Sequence, residues 1–233
     1  MEAQLVELGS RLRTVAALVP VGARLADVGT DHAQLLAWLR ARGRIERGIG
    51  VDIAEGPLRQ AEATLRAAGI DDVQLRRGDG LTPLRPGEVD TVSIAGMGGA
   101  RMMRLVDTAS AVVSGLSRLV LQPNTEWTNV RRWIGERGFA LDDERMVEDR
   151  GKFYVVLAVN PQASATETWS EDELLLGPRL MRQRPAVFLD WLRAERARLD
   201  RALARADDGS DRDDPKLSSL AERRTRLTRA LES

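Results

Sequence analysis

The residues best suited to chemistry crowd into one short stretch, residues 25–32. Asp27, Asp31 and His32 surround Gly29, where a turn must join a short apolar strand to a helix. Such a junction presents backbone N–H groups to a ligand. Carboxylates that leave water need a partner, so this turn is predicted to be a binding site. Asp31 taken alone could equally cap the helix expected to start near residue 32, because aspartate is a favoured N-cap residue.

Two further aspartates follow the second and third predicted strands. Asp52 comes 23 residues after Gly29, and an acidic residue at about this separation accepts hydrogen bonds from ribose hydroxyl groups in nucleotide-binding sheets. Asp79 lies between two glycines, where its carboxylate could accept a hydrogen bond from an adenine amino group or simply close a turn. Both positions are consistent with a ligand that contains ribose and adenine.

The fourth and fifth predicted strands are followed by loops of unusual composition. Gly96 and Met97 begin a segment with three glycines in four residues, which lets a ligand or a base approach the backbone closely. The segment is not a phosphate-binding P-loop, because the Gly-Lys-Ser/Thr ending is missing, and it follows the wrong strand for the dinucleotide motif G-x-G-x-x-G. Gln122, Pro123 and Asn124 provide directional donors and acceptors on a rigid turn.

An α/β architecture is needed to bring these segments to one edge. Alternating strands and helices predict a parallel sheet, and ligands bind beyond the carboxyl ends of its strands. The predicted strands are residues 25–28, 47–53, 73–76, 89–95 and 118–121, followed by an antiparallel pair at 139–148 and 153–159. Seven strands closed by such a hairpin are the pattern of class I methyltransferases. An amphipathic helix at 4–19 precedes them, and its Arg11 could reach a cofactor carboxylate or a phosphate.

Composition excludes several kinds of site. The chain of 233 residues has no cysteine, which excludes disulfides and a thiol nucleophile, and a cytoplasmic location fits. With one histidine in the sequence, a zinc site is not expected, and no metal is predicted. The 35 basic and 35 acidic residues give zero net charge, so nucleic-acid binding would need local clustering. No apolar run reaches about 18 residues and no signal-peptide pattern begins the chain, so no membrane association is expected.

The last quarter of the chain is predicted to form a helical hairpin. Polar residues at 161–170 separate a domain at 1–162 from a C-terminal element at 170–233. Leucines at helical spacing on both sides of a polar break at 207–215 predict two helices with narrow apolar seams, as in an antiparallel coiled coil. Their other faces are rich in arginine, which suits either a nucleic-acid surface or the solvated faces of a dimerising coiled coil. The candidate RNA-binding residues are Arg193, Arg196, Arg223 and Arg226.

Six short motifs that occur in order along the chain resemble the bacterial tRNA (adenine-22-N1)-methyltransferase family. They are Ser10-Arg-Leu-Arg-Thr-Val-Ala16, Ala26-Asp-Val-Gly-Thr-Asp-His-Ala33, Gly78-Asp-Gly-Leu81, Ile94-Ala-Gly-Met-Gly-Gly99, Leu121-Gln-Pro-Asn124 and Leu176-Gly-Pro178. The resemblance covers nearly the whole chain. It implies an S-adenosylmethionine-dependent enzyme with a Rossmann-like methyltransferase fold, which methylates N1 of an adenine in tRNA and uses a C-terminal coiled coil to engage the tRNA.

The resemblance also implies roles for individual residues. Asp31 corresponds to an aspartate thought important for catalysis, and Asp52 stands where many members have glutamate, which changes reach but not chemistry. The residues expected to bind the cofactor are Arg11, Asp27, Gly29, His32, Asp52, Ile53, Asp79, Gly80, Gly96 and Met97. The residues expected to receive the base are Gln122, Pro123 and Asn124. The helical hairpin matches the family least, so its RNA contacts are not carried over one by one.

The chemistry of adenine N1 sets what such a site must do. N1 has a lone pair at neutral pH, so catalysis could come largely from alignment. Asp31 would accept a hydrogen bond from the 6-amino group or, in a stronger version, remove a proton from it. Because N1 takes part in base pairing, the base must be unpaired or flipped.

Other functions remain open at the level of sequence. A methyltransferase of a small molecule or protein would turn over without RNA, and a non-catalytic RNA-binding protein on the same fold would lack cofactor affinity. A nicotinamide dehydrogenase fits less well, because the first turn lacks G-x-G-x-x-G. No protein partner is evident, and the sequence leaves the oligomeric state and the choice of tRNA open.

Overall fold

The computed structural model describes residues 6–164, 167–207 and 215–232. The first residues of the helix predicted at 4–19, and most of the polar break predicted at 207–215, lie outside these ranges. None of the helices in the described ranges is long and apolar enough to cross a membrane.

One seven-stranded sheet organises the molecule, in the order β3-β2-β1-β4-β5-β7-β6. The strands are β1 (Ala23–Val28), β2 (Ile45–Asp52), β3 (Val73–Arg77), β4 (Thr91–Gly98), β5 (Arg118–Thr125), β6 (Phe139–Asp149) and β7 (Lys152–Ser164). The first five are parallel, and the β6–β7 pair is antiparallel. The order reverses between β1 and β4, which is where open α/β sheets bind ligands. The strand order and the antiparallel β6–β7 pair agree with the predicted Rossmann-like fold.

Helices pack on both faces of this sheet and form the C-terminal region. They are α1 (Ser10–Leu18), α2 (Gln34–Ala41), α3 (Glu55–Ala67), α4 (Gly99–Asp107), α5 (Ser110–Val113), α6 (Trp127–Glu136), α7 (Glu171–Leu176), α8 (Pro178–Gln183), α9 (Ala186–Asp207) and α10 (Pro215–Glu232). The central strands are covered on both faces, and Leu25, Ala26, Val92 and Ile94 are fully buried. This two-sided burial explains why these strands read as continuous apolar runs.

Two predicted turns are instead continuations of strands. β4 runs through the glycine-rich segment to Gly98, and β5 runs through Gln122 to Thr125. The pairing shifts register between Ala95 and Gly98, because a glycine with φ of +79° at Gly96 lets the strand bend without losing its neighbour.

The C-terminal helices share the apolar core of the sheet. Phe188, Trp191, Leu199 and Leu227 are buried in the same cluster as the strand residue Leu121. The segment predicted as a boundary at 161–170 is partly strand, since β7 continues to Ser164. The two long helices run antiparallel: Arg184, just before α9, donates to the carbonyl of Ala230 near the end of α10 (2.9 Å).

A buried ion pair joins the sheet to the C-terminal helices. Arg131 of α6 and Glu144 of β6 are both fully buried, with Nε and Oε1 2.7 Å apart. Arg131 also donates to the carbonyl of Leu174 (2.9 Å), and Glu144 accepts the backbone N–H of Arg179 (3.1 Å). A Cβ on Gly177 would lie 2.6 Å from Glu144 Oε2, at a φ of +106°. The glycine of the Leu-Gly-Pro motif is therefore required by this junction.

Candidate active site

The turn after β1 has a shape that only glycine permits at its first position. Gly29 has a φ of +73°, and a Cβ there would lie 2.4 Å from the methyl group of Met97. The N–H groups of Gly29 and Thr30 both donate to the carbonyl of Val51, at 2.8 and 3.0 Å. These two N–H groups therefore join the turn to β2 and are not free to donate to a ligand.

Asp27 stabilises this turn through a hydrogen bond with Thr30. Its side chain is buried, and its two oxygens accept hydrogen bonds from Ser93 (2.7 Å) and Thr30 (2.9 Å). Burial raises the pKa of Asp27, the two hydroxyl hydrogen bonds lower it, and the nearby Asp52 carboxylate raises it; the net shift is upward. A cation placed against this carboxylate would relieve the cost of its burial.

Asp31 is not a helix cap. Helix α2 begins at Gln34 after Ala33, whose φ is +52°, and no side chain caps it. Asp31 itself has a φ of +51°, and its backbone N–H donates to Asp52 Oδ2 (3.2 Å). Its carboxylate is 73% exposed and lies 3.5 Å from His32 Nε2. The capping alternative is therefore wrong, and the strained turn presents the Asp31 side chain outward.

A cavity of about 320 Å³ lies between this turn and the glycine-rich segment. Seven of the residues predicted to bind cofactor or act in catalysis line it: Arg11, Asp27, Gly29, Asp31, His32, Gly96 and Met97. The helix α1, the turn after β1 and the bend in β4 thus converge on one site.

The other predicted cofactor residues follow the ends of β2 and β3. Asp52 accepts the N–H groups of Asp31 and, at 3.0 Å, Ala54. Ile53 is 53% exposed, which is unusual for a large apolar side chain. Asp79 is exposed and lies 3.3 Å from the Arg101 guanidinium.

Gly80, beside Asp79, is buried. A Cβ on it would lie 2.6 Å from Leu105, at a φ of +58°. Because a larger residue would clash with Leu105, this position of the turn after β3 requires glycine. The resulting backbone conformation directs the neighbouring Asp79 side chain outward.

The three predicted base-pocket residues differ in exposure. Gln122 and Pro123 are buried, and Asn124 is exposed. The Gln122 oxygen accepts from Arg11 Nη1 (2.5 Å) and from the Gly96 N–H (3.1 Å), so this amide is engaged inside the protein. Of the three, Asn124 alone has an exposed side chain.

Several supporting residues were not predicted. Ser93 carried a signal, a hydroxyl in the middle of an apolar strand, and Thr30 follows the glycine of the turn. No sequence signal pointed to Asp149. Its carboxylate accepts the backbone N–H of Arg11 at the start of α1 (3.1 Å), although the two residues are 138 positions apart. Glu126, with a φ of +64°, accepts the N–H of Ala100 (2.9 Å) at the first turn of α4.

Comparison with known proteins agrees with this geometry. The family model described as tRNA (adenine(22)-N(1))-methyltransferase matches residues 25–224. The tRNA (adenine(22)-N(1))-methyltransferase of Bacillus subtilis is 35% identical over 188 residues, 79% of each chain. The chain belongs to this family. The family, the fold and the class of enzyme expected from the sequence are thus confirmed.

Solved structures extend the agreement over the C-terminal helices. The B. subtilis m1A22 tRNA methyltransferase matches with a TM-score of 0.84 and 31% identity, covering 97% of this chain and 99% of the other. Sp1610 of Streptococcus pneumoniae, in complex with S-adenosyl-L-methionine, matches with a TM-score of 0.86 and 30% identity, covering 97% and 100%. The match therefore includes both the sheet and the helices that follow it.

The arginines predicted to bind RNA differ in how far they are already engaged. Three form ion pairs within the chain: Arg193 with Asp190 (2.8 Å), Arg223 with Glu195 (3.0 Å) and Arg226 with Asp172. Arg196 forms no ion pair with any residue that the structure describes. Among the same residues, no cluster of His, Cys, Asp and Glu could hold a metal ion.

Proposed function

We propose that this chain transfers the methyl group of S-adenosylmethionine to N1 of adenine 22 in tRNA, with Asp31 as the catalytic residue. One observation carries the assignment of the site. An exposed carboxylate, held in a left-handed turn by Asp52, stands at a strand-end cavity. Membership of the tRNA (adenine(22)-N(1))-methyltransferase family supports the reaction.

The residues around the cavity fit S-adenosylmethionine. The cofactor supplies an electrophilic methyl group on a sulfonium cation, and the carboxylates of Asp27 and Asp31 suit a positive charge. Asp52 would accept hydrogen bonds from the ribose hydroxyls, because each carboxylate oxygen has a second lone pair beyond its present backbone donor. Ile53 would cover one face of the adenine with its exposed side chain.

The remaining cofactor contacts are assigned by position. Asp79 would accept a hydrogen bond from the cofactor's adenine amino group, with Gly80 shaping the turn beside it. Arg11, His32 and the backbone at Gly96 and Met97 would hold the methionine part. Asp79 can accept this hydrogen bond while its exposed ion pair with Arg101 persists, because the pair engages Oδ1 and leaves Oδ2 free.

The target base brings its own nucleophile. Adenine N1 attacks through its lone pair, so alignment supplies most of the rate, and effective molarities of roughly 10⁵–10⁸ M are available to a well-oriented pair. Asp31 would accept a hydrogen bond from the 6-amino group and stabilise the positive charge that develops on the base. The base must leave its helix to present N1.

The C-terminal hairpin would hold the tRNA. Arg193, Arg196, Arg223 and Arg226 lie on α9 and α10, which share the core of the sheet and so keep a fixed position relative to the cavity. Since tRNA is the substrate, we infer that the protein acts in the cytoplasm.

The test is a transfer assay with product identification. The purified chain is incubated with labelled S-adenosylmethionine and unmodified bacterial tRNA, and the digested nucleosides are identified by mass. Label in 1-methyladenosine that maps to position 22 supports the proposal. Label in another nucleoside contradicts the choice of atom. Binding of the cofactor without transfer to RNA would favour a small-molecule or protein substrate, and RNA binding without cofactor affinity would favour a non-catalytic role.

A further inference from the structure

A short network of hydrogen bonds fixes the orientation of the Gln122 side chain. Its Oε1 faces two groups, the Arg11 guanidinium (2.5 Å) and the Gly96 backbone N–H (3.1 Å). Both are obligatory donors, because neither carries a lone pair that could accept a proton. The oxygen of the Gln122 amide must therefore face them, and its NH₂ group must face the other way.

The same network then fixes Asn124. Gln122 Nε2 donates to Asn124 Oδ1 (3.1 Å), and Asn124 Nδ2 donates to the Gly96 carbonyl (2.7 Å). The carbonyl is an obligatory acceptor, so Asn124 is held between two groups that cannot exchange roles. Its amide is exposed and keeps one N–H and one oxygen lone pair that the network does not use.

A free donor beside a free acceptor matches one edge of adenine. At its N6/N7 edge adenine offers an amino hydrogen and a ring-nitrogen lone pair, and asparagine pairs with both. Guanine offers two acceptors at the same edge, O6 and N7, which would leave the Asn124 oxygen facing an acceptor. We propose that Asn124 reads the N6/N7 edge of the target adenine, in an orientation that Arg11 imposes through Gln122. This inference rests on the proposed function.

This contact is compatible with transfer to N1. Pairing at N6 and N7 leaves the opposite edge of the ring, including N1, open to the methyl donor. The 6-amino group has two hydrogens: the one on the N7 side would go to Asn124, and the one on the N1 side remains for Asp31. Asn124 is one hydrogen bond away from Gly96, which lines the cavity, so both contacts lie at the same edge of the sheet.

The experiment compares two tRNAs that differ by one atom of the base. One carries adenosine at position 22 and the other 7-deazaadenosine, which lacks the N7 acceptor. For the wild-type protein we expect kcat/KM to be roughly 5- to 10-fold lower with the deaza tRNA, the value of one hydrogen bond. In Asn124→Ala the two tRNAs should react equally, because the partner of N7 is gone. Asn129→Ala, an exposed asparagine of α6, should keep the wild-type ratio.

A second variant tests the orienting network. Gln122→Glu keeps acceptors for Arg11 and Gly96 but removes the donor to Asn124, so the ratio between the two tRNAs should fall toward one while 1-methyladenosine is still formed. Equal wild-type rates with both tRNAs, or a penalty that persists in Asn124→Ala, would overturn the role of Asn124 and leave the proposed function intact. Failure to methylate N1 of adenine 22 in either tRNA would reject both.

Discussion

The strand-end site and the junction with the C-terminal helices use charge in opposite ways. At the site, a hydroxyl group and an amide group supply two of the supporting hydrogen bonds. Ser93 donates to Asp27, and Gln122 accepts the N–H of Gly96 at the bend in β4. The carboxylate of Asp31 stays exposed. At the junction the charges themselves are buried, since Arg131 and Glu144 pair with each other in the core.

This difference in burial separates a charge that can bind a ligand from charges that stabilise the fold. The buried ion pair cannot meet a ligand from solvent, because both of its side chains are fully buried. The exposed carboxylate of Asp31 keeps its charge available, and the hydrogen bonds that hold its turn need not change when a ligand arrives. Substitutions at the site should therefore change turnover, and substitutions at the junction should change stability. Of the four predictions below, those at Asp31 and Glu144 test this division.

The largest effect is expected at Asp31. Asp31→Asn should lower kcat by roughly 10²–10⁴-fold if the carboxylate takes a proton, and by less if it only accepts a hydrogen bond. Asparagine is the better replacement because it tolerates a left-handed φ, which alanine does not. The affinity for S-adenosylmethionine, measured by calorimetry, should change much less than kcat, because water screens the exposed Asp31 carboxylate from the sulfonium. Wild-type turnover would remove Asp31 from the mechanism.

Substitutions at the junction should lower the free energy of unfolding. Glu144→Gln leaves the Arg131 guanidinium buried without its counter-charge, and we expect a loss of about 3–5 kcal/mol in the free energy of unfolding, measured with urea. The matched control is Glu171→Gln, which breaks the exposed pair with Arg132 and should cost far less, because water screens that pair. Equal losses in the two variants would show that burial of the pair does not matter. Adding Arg131→Met to Glu144→Gln should recover part of the loss.

The buried Asp27 should make the stability of the protein depend on pH. Burial raises its pKa above the ordinary 3.8. A raised pKa means that the folded state binds the proton more tightly than the unfolded state. The stability gained is present below the unfolded pKa and is lost as pH rises through the folded value. Relative to Asp27→Asn, the wild type should therefore lose stability as pH rises above about 4, the ordinary pKa of the group. Parallel stability curves for the two proteins would contradict this.

The smallest effects are expected among the arginines of the hairpin. Arg196→Ala should weaken tRNA binding and lower the salt slope of log K by about one, because a free guanidinium can contact a phosphate. Arg226→Ala should change the slope less, since Asp172 already neutralises that side chain. Filter binding at several salt concentrations measures both. A larger change for Arg226 would mean that its ion pair opens on binding.

The sequence predicted the parts of the site that depend on local pattern. Strands followed by glycine and aspartate are recognisable because the periodicity and the turn residues are adjacent, and this placed Asp31, Asp52 and Asp79 at one edge. It did not predict that helix α2 starts at Gln34, since the apolar spacing begins at Ala33 while the backbone there is left-handed.

Burial set by distant partners could not be predicted. Gln122 was predicted to receive the base on a rigid turn, and its engagement inside the protein depends on Arg11, 111 residues earlier. The helical hairpin followed from leucine spacing alone. That its first helix packs Phe188 and Trp191 into the core of the sheet depends on surfaces far apart in the sequence.

The bond between Asp149 and the first turn of α1 has a consequence for synthesis on the ribosome. Helix α1 has nine residues, too few to be stable alone in water, and its capping carboxylate is made 138 residues after Arg11. The chain emerges from its N-terminus, so the wall of the cavity that carries Arg11 cannot close until the β6–β7 hairpin exists. A nascent or truncated chain that ends before this hairpin has five of the seven strands but no complete pocket, so the chain becomes competent to bind the methyl donor only after β7, which ends at Ser164, has emerged.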